Sequence, residues 1–406
     1  MKYLVILLYL SRELFDAIIS FLNSQYLKKD LPENVRDVYN EEEYQNWQEY
    51  EKESGRLHIM ESTVSIVINL VFLAGNVYAC VFQAMAGVNV YVQYLAVIVL
   101  FSLISTLISI PFSYYDTFVI ETKYGLNTAT KKTFWLDMFK SFLIENVISY
   151  LFIILIMVLF ERYGNMAILW CSVIVMAVIL MVMLIVVPLM QIFNKFEPLE
   201  DGELKKELLA LCDKYGVHVK KIVVRDASRR TSTANAFCTG IGKWKTISLD
   251  DNLVNNYSAE EITAVFAHEF AHARYHHSIK SLPLSIASVI VMFMALAIVL
   301  NIPSLYTAFG FTGINYYFAS ILTGIILWPF STLLEIISSY FSRKHEYQAD
   351  AFAAKEGYGK ALISALKRLH KEALADINPH PAEVFLHYSH PTLSQRITAI
   401  QANMQK

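Results

Sequence analysis

Six apolar stretches, each about as long as a helix needs to cross a bilayer, constrain the fold of this chain most strongly. They cover roughly residues 62–83, 91–112, 142–160, 166–190, 282–300 and 318–340. A seventh, at residues 3–23, is weaker because three charged residues interrupt it, and a signal peptide is its alternative interpretation. No small-residue cleavage site follows it, which favours a span. The sequence therefore predicts an all-α polytopic membrane protein with seven transmembrane helices.

Composition agrees with this class and excludes others. Hydrophobic residues make up 55% of the chain and charged residues 17%, whereas soluble domains carry about 25% charged residues. Abundant Tyr and Phe exclude a disordered chain. A net charge of −2 without a basic tract argues against a nucleic-acid partner. The four cysteines lack CxxC spacing, so no disulfide frame or thiolate metal site is expected.

The distribution of basic residues predicts which side of the membrane each loop occupies. With seven spans, one side receives 31 of the 34 Lys and Arg residues, and it includes loops 23–61 and 113–141, residues 191–281 and everything after 341. Short loops decide orientation, and loop 113–141 carries four lysines against one arginine in the opposite loop 161–165. The positive-inside rule places the lysine-rich side in the cytoplasm.

Two cytoplasmic segments, 191–281 and 342–406, are polar enough to fold in water. The first combines a helical pattern at Glu203–Tyr215 with strand-like runs at Lys221–Arg225 and Lys245–Leu249. The second has a helical pattern and a proline-containing loop at Asn378–Ala382. We therefore expect a small α+β domain outside the bilayer.

A metal-binding motif follows a helix start in the first of these segments. Ser258 and Glu261 form a capping-box pattern, after which the chain reads His268-Glu269-Phe-Ala-His272. Histidines four residues apart on a helix lie on one face, where both can bind one Zn²⁺, and the intervening glutamate is the expected general base. The alternative is a helix with a few polar residues near the membrane surface.

Zinc hydrolases need a third protein ligand, and Glu346 is the strongest candidate. Two spans separate it from His272, so both residues emerge on the same side of the membrane. Asp350, four residues later, can orient a ligating histidine. His276 is a second candidate for the ligand, and a solvated juxtamembrane helix is the alternative to both.

With these motifs, the chain resembles the type I CAAX prenyl endopeptidases, a family of gluzincin-like membrane zinc metalloproteases, over essentially its whole length. Besides the two motifs above, the matching stretches are Tyr115–Glu121 with Gly125–Asn127, Asn194–Glu203, Ser232–Phe237, Ala308–Phe311, and Tyr388–Pro391 with Arg396.

The resemblance implies a barrel of seven transmembrane helices around a large water-filled chamber, capped by a zinc-protease domain with an edge strand. It implies one Zn²⁺ per chain, held by three ligands, with a base, a substrate-binding strand and two residues that contact the peptide and stabilise the tetrahedral intermediate. The ligands are His268, His272 and Glu346, the base is Glu269, the strand residues are Asn235, Ala236 and Phe237, and the last two are His390 and Arg396. From the residues alone, the strand could be an ordinary turn, His390 a loop histidine and Arg396 a salt-bridged helix residue.

These expectations define four regions. Residues 1–190 hold five transmembrane helices, 191–281 the cytoplasmic protease domain with the HExxH helix, 282–341 helices six and seven, and 342–406 a cytoplasmic C-terminal part with the third ligand. The family's animal members carry a long acidic insertion before the HExxH helix, which this chain lacks, and no endoplasmic-reticulum retrieval signal ends it. Both features favour the plasma membrane of a prokaryote over the endoplasmic reticulum of a eukaryote.

The sequence thus predicts a membrane-embedded zinc endopeptidase that cleaves near the C-terminus of peptide or protein substrates with a zinc-activated water. The resemblance implies prenylated CAAX substrates. Broader membrane-protein quality control or peptide processing without prenyl specificity is the alternative. A transporter is a remote one, prompted by charged residues in or beside spans such as Arg12, Glu13, Asp16 and Glu145.

Overall fold

The computed structural model describes residues 1–26, 29–217, 219–240 and 245–405. Helices dominate these ranges. They are α1 Lys2–Tyr26, α2 Glu41–Ala74, α3 Val77–Ala84, α4 Val90–Tyr115, α5 Lys131–Tyr163, α6 Ala167–Met190, α7 Glu203–Lys214, α8 Asp251–Asn256, α9 Ala259–Arg274, α10 His277–Lys280, α11 Leu282–Leu300, α12 Pro303–Ala308, α13 Tyr316–Ala353, α14 Gly359–Glu372, α15 Pro381–Leu386 and α16 Leu393–Met404. Short 3₁₀ turns lie at Glu33–Val35, Gly164–Met166 and Ala227–Arg229, and π-helical turns at Asp116–Glu121 and Ala354–Tyr358.

Within the described residues, five helical segments are long and apolar enough to cross a membrane. They are Glu41–Ala74, Val90–Glu121, Lys131–Met190, His277–Leu300 and Tyr316–Glu372. The third contains both α5 and α6, which the turn Gly164–Met166 separates. Helix α1 falls outside the set because it carries four charged residues, Lys2, Arg12, Glu13 and Asp16. An integral membrane protein is therefore supported, and the count of seven spans stays a prediction.

Seven long helices nonetheless form a closed ring. Contacts join α1 to α2, α2 to α4, α4 to α5, α5 to α6, α6 to α11, α11 to α13 and α13 back to α1. The predicted span 62–83 is broken within this ring, because α2 ends at Ala74 and Asn76 adopts a left-handed φ of 56° before α3 begins. The Lys2 ammonium donates to the Ala74 carbonyl at 2.5 Å and so caps the end of α2. The start of α1 is thereby tied to its neighbour.

Helix α2 has two chemically different faces. Val64, Val67 and Val71 are exposed on its outer face, as lipid-facing side chains are. Ser65 and Asn69, on the opposite face, line a cavity of about 500 Å³ inside the ring. Other polar residues around that cavity come from α2, α4, α5 and α13: Glu61, Ser102, Ser105, Ser109, Glu145, Ser149 and Tyr317. A second cavity of about 440 Å³ shares Ser109 and Glu145 with the first and reaches Arg230 of the extramembrane domain. The cavities inside the ring are thus lined by polar as well as apolar side chains.

The longest helix connects the membrane to the extramembrane domain. Helix α13 runs without interruption for 38 residues, a length of about 57 Å at 1.5 Å per residue. That is nearly twice the thickness of a bilayer core. Its final third carries Glu346 and Asp350, so a transmembrane helix delivers these residues beyond the apolar layer.

The extramembrane domain contains a four-stranded sheet in the described residues. Its strands are β1 Phe196–Pro198, β2 Lys221–Arg225, β3 Ala236–Thr239 and β4 Thr246–Asp250, in the order β1-β2-β4-β3. Strands β2 and β4 are parallel and the other pairs antiparallel. Every residue of β4 is buried, whereas β3 lies at the edge next to α9. The predicted strands match β2 and β4 within one residue, and the predicted helix at Glu203–Tyr215 matches α7.

Candidate active site

Helix α9 forms the centre of the site, and its sequence explains its position. The Ser258 hydroxyl accepts from the Glu261 backbone N–H at 3.2 Å, and the Glu261 carboxylate accepts from the Ser258 backbone N–H at 3.1 Å. This capping box satisfies two donors that would otherwise lack partners at a helix start. The side chains of Phe266 and Phe270 are fully buried in the core. Because α9 is packed on most sides, the orientation of its histidines is fixed by the core.

Three metal-ligating groups from α9 and α13 converge. His268 Nε2 lies 3.2 Å from His272 Nε2. The Glu346 carboxylate completes the triangle, with Oε2 3.4 Å from His268 Nε2 and Oε1 3.3 Å from His272 Nε2. These residues form a cluster of His and Glu donors with the geometry to share one ion.

The donor set fits zinc. A tetrahedral Zn²⁺ with bonds of about 2.0–2.1 Å separates its ligands by roughly 3.3 Å, close to the three observed separations. Glu346 is only 4% exposed, and its Oε2 has no hydrogen-bond partner among the described residues. A buried carboxylate oxygen without a partner is costly unless a cation lies beside it. Two imidazoles and one carboxylate also leave a fourth position open, as catalytic zinc sites do.

Asp350 and Arg396 lie behind His268. The Asp350 carboxylate is fully buried, and its Oδ1 lies 3.0 Å from His268 Nδ1. The Arg396 guanidinium donates twice to the same carboxylate, through Nε at 2.9 Å and Nη2 at 2.7 Å. Asp350 can therefore accept the Nδ1 proton of His268 and leave the Nε2 lone pair directed at Glu346 and His272.

Glu269 occupies the position expected of a base. It lies on the turn of α9 between the two histidines and is partly buried beside β3. Burial raises the pKa of its carboxyl group, while the neighbouring imidazoles and the Cys238 backbone N–H act in the opposite direction. A carboxylate with a raised pKa is a stronger proton acceptor, as general-base catalysis requires.

Strand β3 presents an unpaired edge next to this carboxylate. Ala236 and Phe237 lie in β3, and Asn235 directly precedes it. The Asp250 backbone N–H donates to the Asn235 carbonyl at 2.9 Å. Because hydrogen-bonded pairs alternate along an antiparallel ladder, the backbone groups of Ala236 and Cys238 then face away from β4. Such an edge can pair with an extended peptide.

The two residues expected to contact the peptide occupy different environments. His390 is exposed, and its Nε2 lies 3.6 Å from Glu346 Oε1, so it borders the triangle of ligands. Partial desolvation by the surrounding site lowers the pKa of its imidazole, even though much of the ring remains exposed. Arg396 is 6% exposed and lies 3.8 Å from Glu346 Oε2 while it is bonded to Asp350. Its guanidinium thus lies behind the ligands, whereas His390 lies at the rim.

Two features of the site have no counterpart among the predictions from the sequence. His277 contacts His272 from the side opposite the metal-binding atoms, and its position five residues after His272 is the signal that could have revealed it. Lys245 is 5% exposed and donates to the Ala273 carbonyl at 2.5 Å, at the end of α9. A cation there complements the helix dipole. His276, the other candidate ligand, is exposed and lies away from the triangle.

Comparisons with known proteins point to one family. Residues 22–195 match the model of the CAAX prenyl protease N-terminal region with five membrane helices, and residues 198–404 match the model of peptidase family M48. CAAX prenyl protease 1 of Saccharomyces cerevisiae is 32% identical, over 97% of this chain and 93% of the relative. A CAAX prenyl protease 1 homolog of Oryza sativa subsp. japonica is 31% identical, over 96% and 94%. The crystal structure of S. mikatae Ste24p superposes with a TM-score of 0.91 at 31% identity and covers 98% of both chains.

Proposed function

The chain belongs to peptidase family M48 and is a membrane metalloendopeptidase, and we propose that zinc is its metal and that it cleaves prenylated CAAX proteins near the C-terminus. The observation that carries the proposal is the convergence of His268, His272 and Glu346 beside a carboxylate and an edge strand. A structural metal site would not need either neighbour.

We assign the ligand role to His268, His272 and Glu346, and to Asp350 the role of orienting the His268 imidazole. Bound there, zinc supplies a Lewis acid that polarises a carbonyl and lowers the pKa of water. Glu269 accepts a proton from the water that attacks the scissile carbonyl, and it returns that proton to the departing amine. The partly buried position of Glu269 suits both transfers, because its carboxyl group has a raised pKa.

Substrate binding is assigned to the edge of β3. An extended peptide that lies along Asn235, Ala236 and Phe237 and bonds to the outward-facing backbone of Ala236 adds a strand to the sheet, and main-chain hydrogen bonds hold it regardless of its sequence. His390 borders the ligands and can donate to the oxyanion as a neutral imidazole, because its pKa is lowered. Arg396 acts mainly through Asp350 and His268, which is the role its buried bonds support.

The proposed membrane arrangement is a barrel of seven spans around a chamber, with the protease domain and the C-terminus in the cytoplasm. The closed contact ring of α1, α2, α4, α5, α6, α11 and α13 supports the barrel, and the lysines of loop 113–141 support the orientation. Helix α1 counts as a span here because it closes the ring between α2 and α13. The compartment proposed from the sequence is the plasma membrane if the source is a prokaryote and the endoplasmic reticulum membrane if it is a eukaryote.

Replacement of Glu269 tests the mechanism. We expect Glu269→Gln to retain one zinc per chain and to lower peptide hydrolysis at least about 100-fold, because only the base is lost. Zinc content by atomic absorption and hydrolysis of a fluorogenic peptide by the detergent-purified chain are the measurements. Retained hydrolysis would overturn the assignment of the base. Removal of the metal by a chelator and its return provide the control, since activity must fall and recover with zinc.

Paired substrates test the prenyl specificity separately. A farnesylated CAAX peptide and its unmodified counterpart are digested under the same conditions, and the cleavage sites are read by mass spectrometry. Preference for the farnesylated peptide supports the proposed substrate class. Equal cleavage would reject prenyl recognition in favour of broader peptide processing, while the peptidase assignment stands.

A further inference from the structure

A buried histidine outside the ligand triangle contacts one of its members. His277 Nδ1 lies 3.0 Å from His272 Nδ1, and the two rings are nearly perpendicular, at 82°. On its other side, His277 Nε2 lies 3.1 Å from the side-chain oxygen of Gln348. His277 is only 4% exposed, so its two nitrogens depend on these neighbours.

The direction of the hydrogen bonds follows from the chemistry of the last group. The Gln348 oxygen can only accept, so His277 Nε2 carries the proton and His277 Nδ1 is an acceptor. His272 Nδ1 must then be the donor. His272 Nε2 is left with a free lone pair, and this atom is the one that lies 3.2 Å from His268 Nε2 and 3.3 Å from Glu346 Oε1.

We propose that His277 is a positioning residue that fixes the tautomer and the ring orientation of His272, and thereby its affinity for the metal. The inference rests on the proposed function, since it treats His272 as a zinc ligand. It gives His272 a partner equivalent to the one that Asp350 gives His268. His277 is a neutral acceptor, whereas Asp350 is a carboxylate. The site therefore carries one negative charge less than it would with a carboxylate behind each histidine.

The backbone is arranged to bring His277 to this place. Helix α9 ends at Arg274, and His276 adopts a left-handed φ of 55°. Glycine is the usual residue in that conformation at a helix end. The turn folds the chain back, so that His277 lies under the last turn of α9. The ring of His345 stacks on His277 with centroids 4.1 Å apart and planes within 8°, and this stacking fixes the remaining rotation.

Two substitutions separate the hydrogen bond from packing. His277→Phe keeps an aromatic ring for the stack on His345 and removes the acceptor. His277→Asn loses the ring but retains an acceptor oxygen close to the position of Nδ1. His276→Asn is the matched control, because His276 is the exposed neighbour and asparagine tolerates a left-handed φ.

The measurement is the zinc dissociation constant of the full detergent-purified chain, obtained by competition with a chromophoric chelator. We expect His277→Phe to weaken zinc binding about 10–100-fold, the usual effect of removing a partner of a ligating histidine. His277→Asn should recover most of that loss, and His276→Asn should stay within about twofold. Far-UV circular dichroism and gel filtration verify that each variant is folded.

The outcomes distinguish this inference from the proposed function. If the unaltered chain binds no zinc, the proposed function fails. If it binds zinc and His277→Phe binds equally well, only the role of His277 is overturned. The role is also overturned if Phe and Asn at position 277 weaken binding equally, since packing would then explain the effect. Should His277→Phe not fold, the affinity of His277→Asn relative to His276→Asn decides the question.

Discussion

At the scale of single residues, Asp350 has two partners, His268 and Arg396, and its contact with each has a different role. It accepts from the His268 imidazole and carries the counter-charge of the buried Arg396 guanidinium. A buried ion pair adds little net stability over apolar residues, but loss of one partner costs about 3–5 kcal/mol because the other charge stays buried. The contact with His268 should therefore affect metal affinity, and the contact with Arg396 should affect the stability of the fold.

A pair of variants can separate these two contributions. We expect Asp350→Asn to weaken zinc binding about 10–100-fold and to lower the thermal unfolding midpoint, because Arg396 loses its counter-charge. Addition of Arg396→Met to Asp350→Asn should restore the midpoint, since the unpaired charge is gone, without restoring zinc affinity. Chelator competition and a thermal melt in detergent measure the two quantities. Recovery of zinc affinity in the double variant would show that Arg396, and not Asp350, controls the ligand.

The proposed site residues that the sequence predicts are those whose relation along the chain is local. His268, Glu269 and His272 follow from helical spacing alone, and Glu346 with Asp350 follows from spacing plus the number of intervening spans. Arg396 reaches Asp350 from a helix that begins 43 residues after it, and no periodicity encodes that contact. The contact of His277 could not be predicted from the sequence, because it depends on a left-handed conformation at His276, which is not a glycine.

At the scale of elements, the edge of β3 is where the sheet and the catalytic helix meet. The Cys238 backbone N–H faces away from β4 and stabilises the ionised Glu269 carboxylate. The strand thus offers hydrogen bonds to a peptide next to the base that acts on it. If β3 acts as proposed, its contribution comes from its backbone, so side-chain substitutions there should matter little unless they remove an N–H.

Proline at position 238 tests this view. We expect Cys238→Pro to lower kcat/KM about 10–100-fold, because a hydrogen bond to a charged group contributes about 1.5–3 kcal/mol. Cys238→Ala keeps the N–H and should stay within about twofold of the parent. Steady-state hydrolysis of a peptide gives both values, and zinc content verifies the metal site. Equal losses in the two variants would mean that the thiol, and not the backbone, supports activity.

Helix and strand types were largely predictable, and helix ends were not. The apolar runs located α4, α5, α6, α11 and α13 because a span must be continuously apolar. The C-terminal end of the last run was placed at residue 340, yet α13 continues to Ala353. No glycine or proline stops it there, and hydropathy reports the end of the apolar layer, not the end of the helix.

At the scale of the whole molecule, the order of helices around the ring brings the two halves of the site together. The proposed ligands on α9 and α13 are separated in the chain by α11 and the apolar part of α13, and both of these segments are long and apolar enough to cross a membrane. An even number of crossings returns the chain to the side it left. The same helices close the ring, and α13 leads from that ring to Glu346 in the proposed metal site.

The polar side chains inside the ring lead to a prediction that compares a glutamate at two positions on α2. Ser65 lines the cavity inside the ring, whereas Val67, two residues later on α2, is 53% exposed on the outer face. A charged residue that faces hydrocarbon costs about 2.5–3.5 kcal/mol, but one that faces a water-filled chamber is largely spared that cost. We therefore expect Val67→Glu to reduce the yield of membrane-inserted protein and its melting midpoint, and Ser65→Glu to leave both close to the parent. Val67→Ser and Ser65→Gln control for the loss of each native side chain. Equal damage from glutamate at both positions would argue that the ring encloses a dry core, and a peptide could not then reach the zinc site through it.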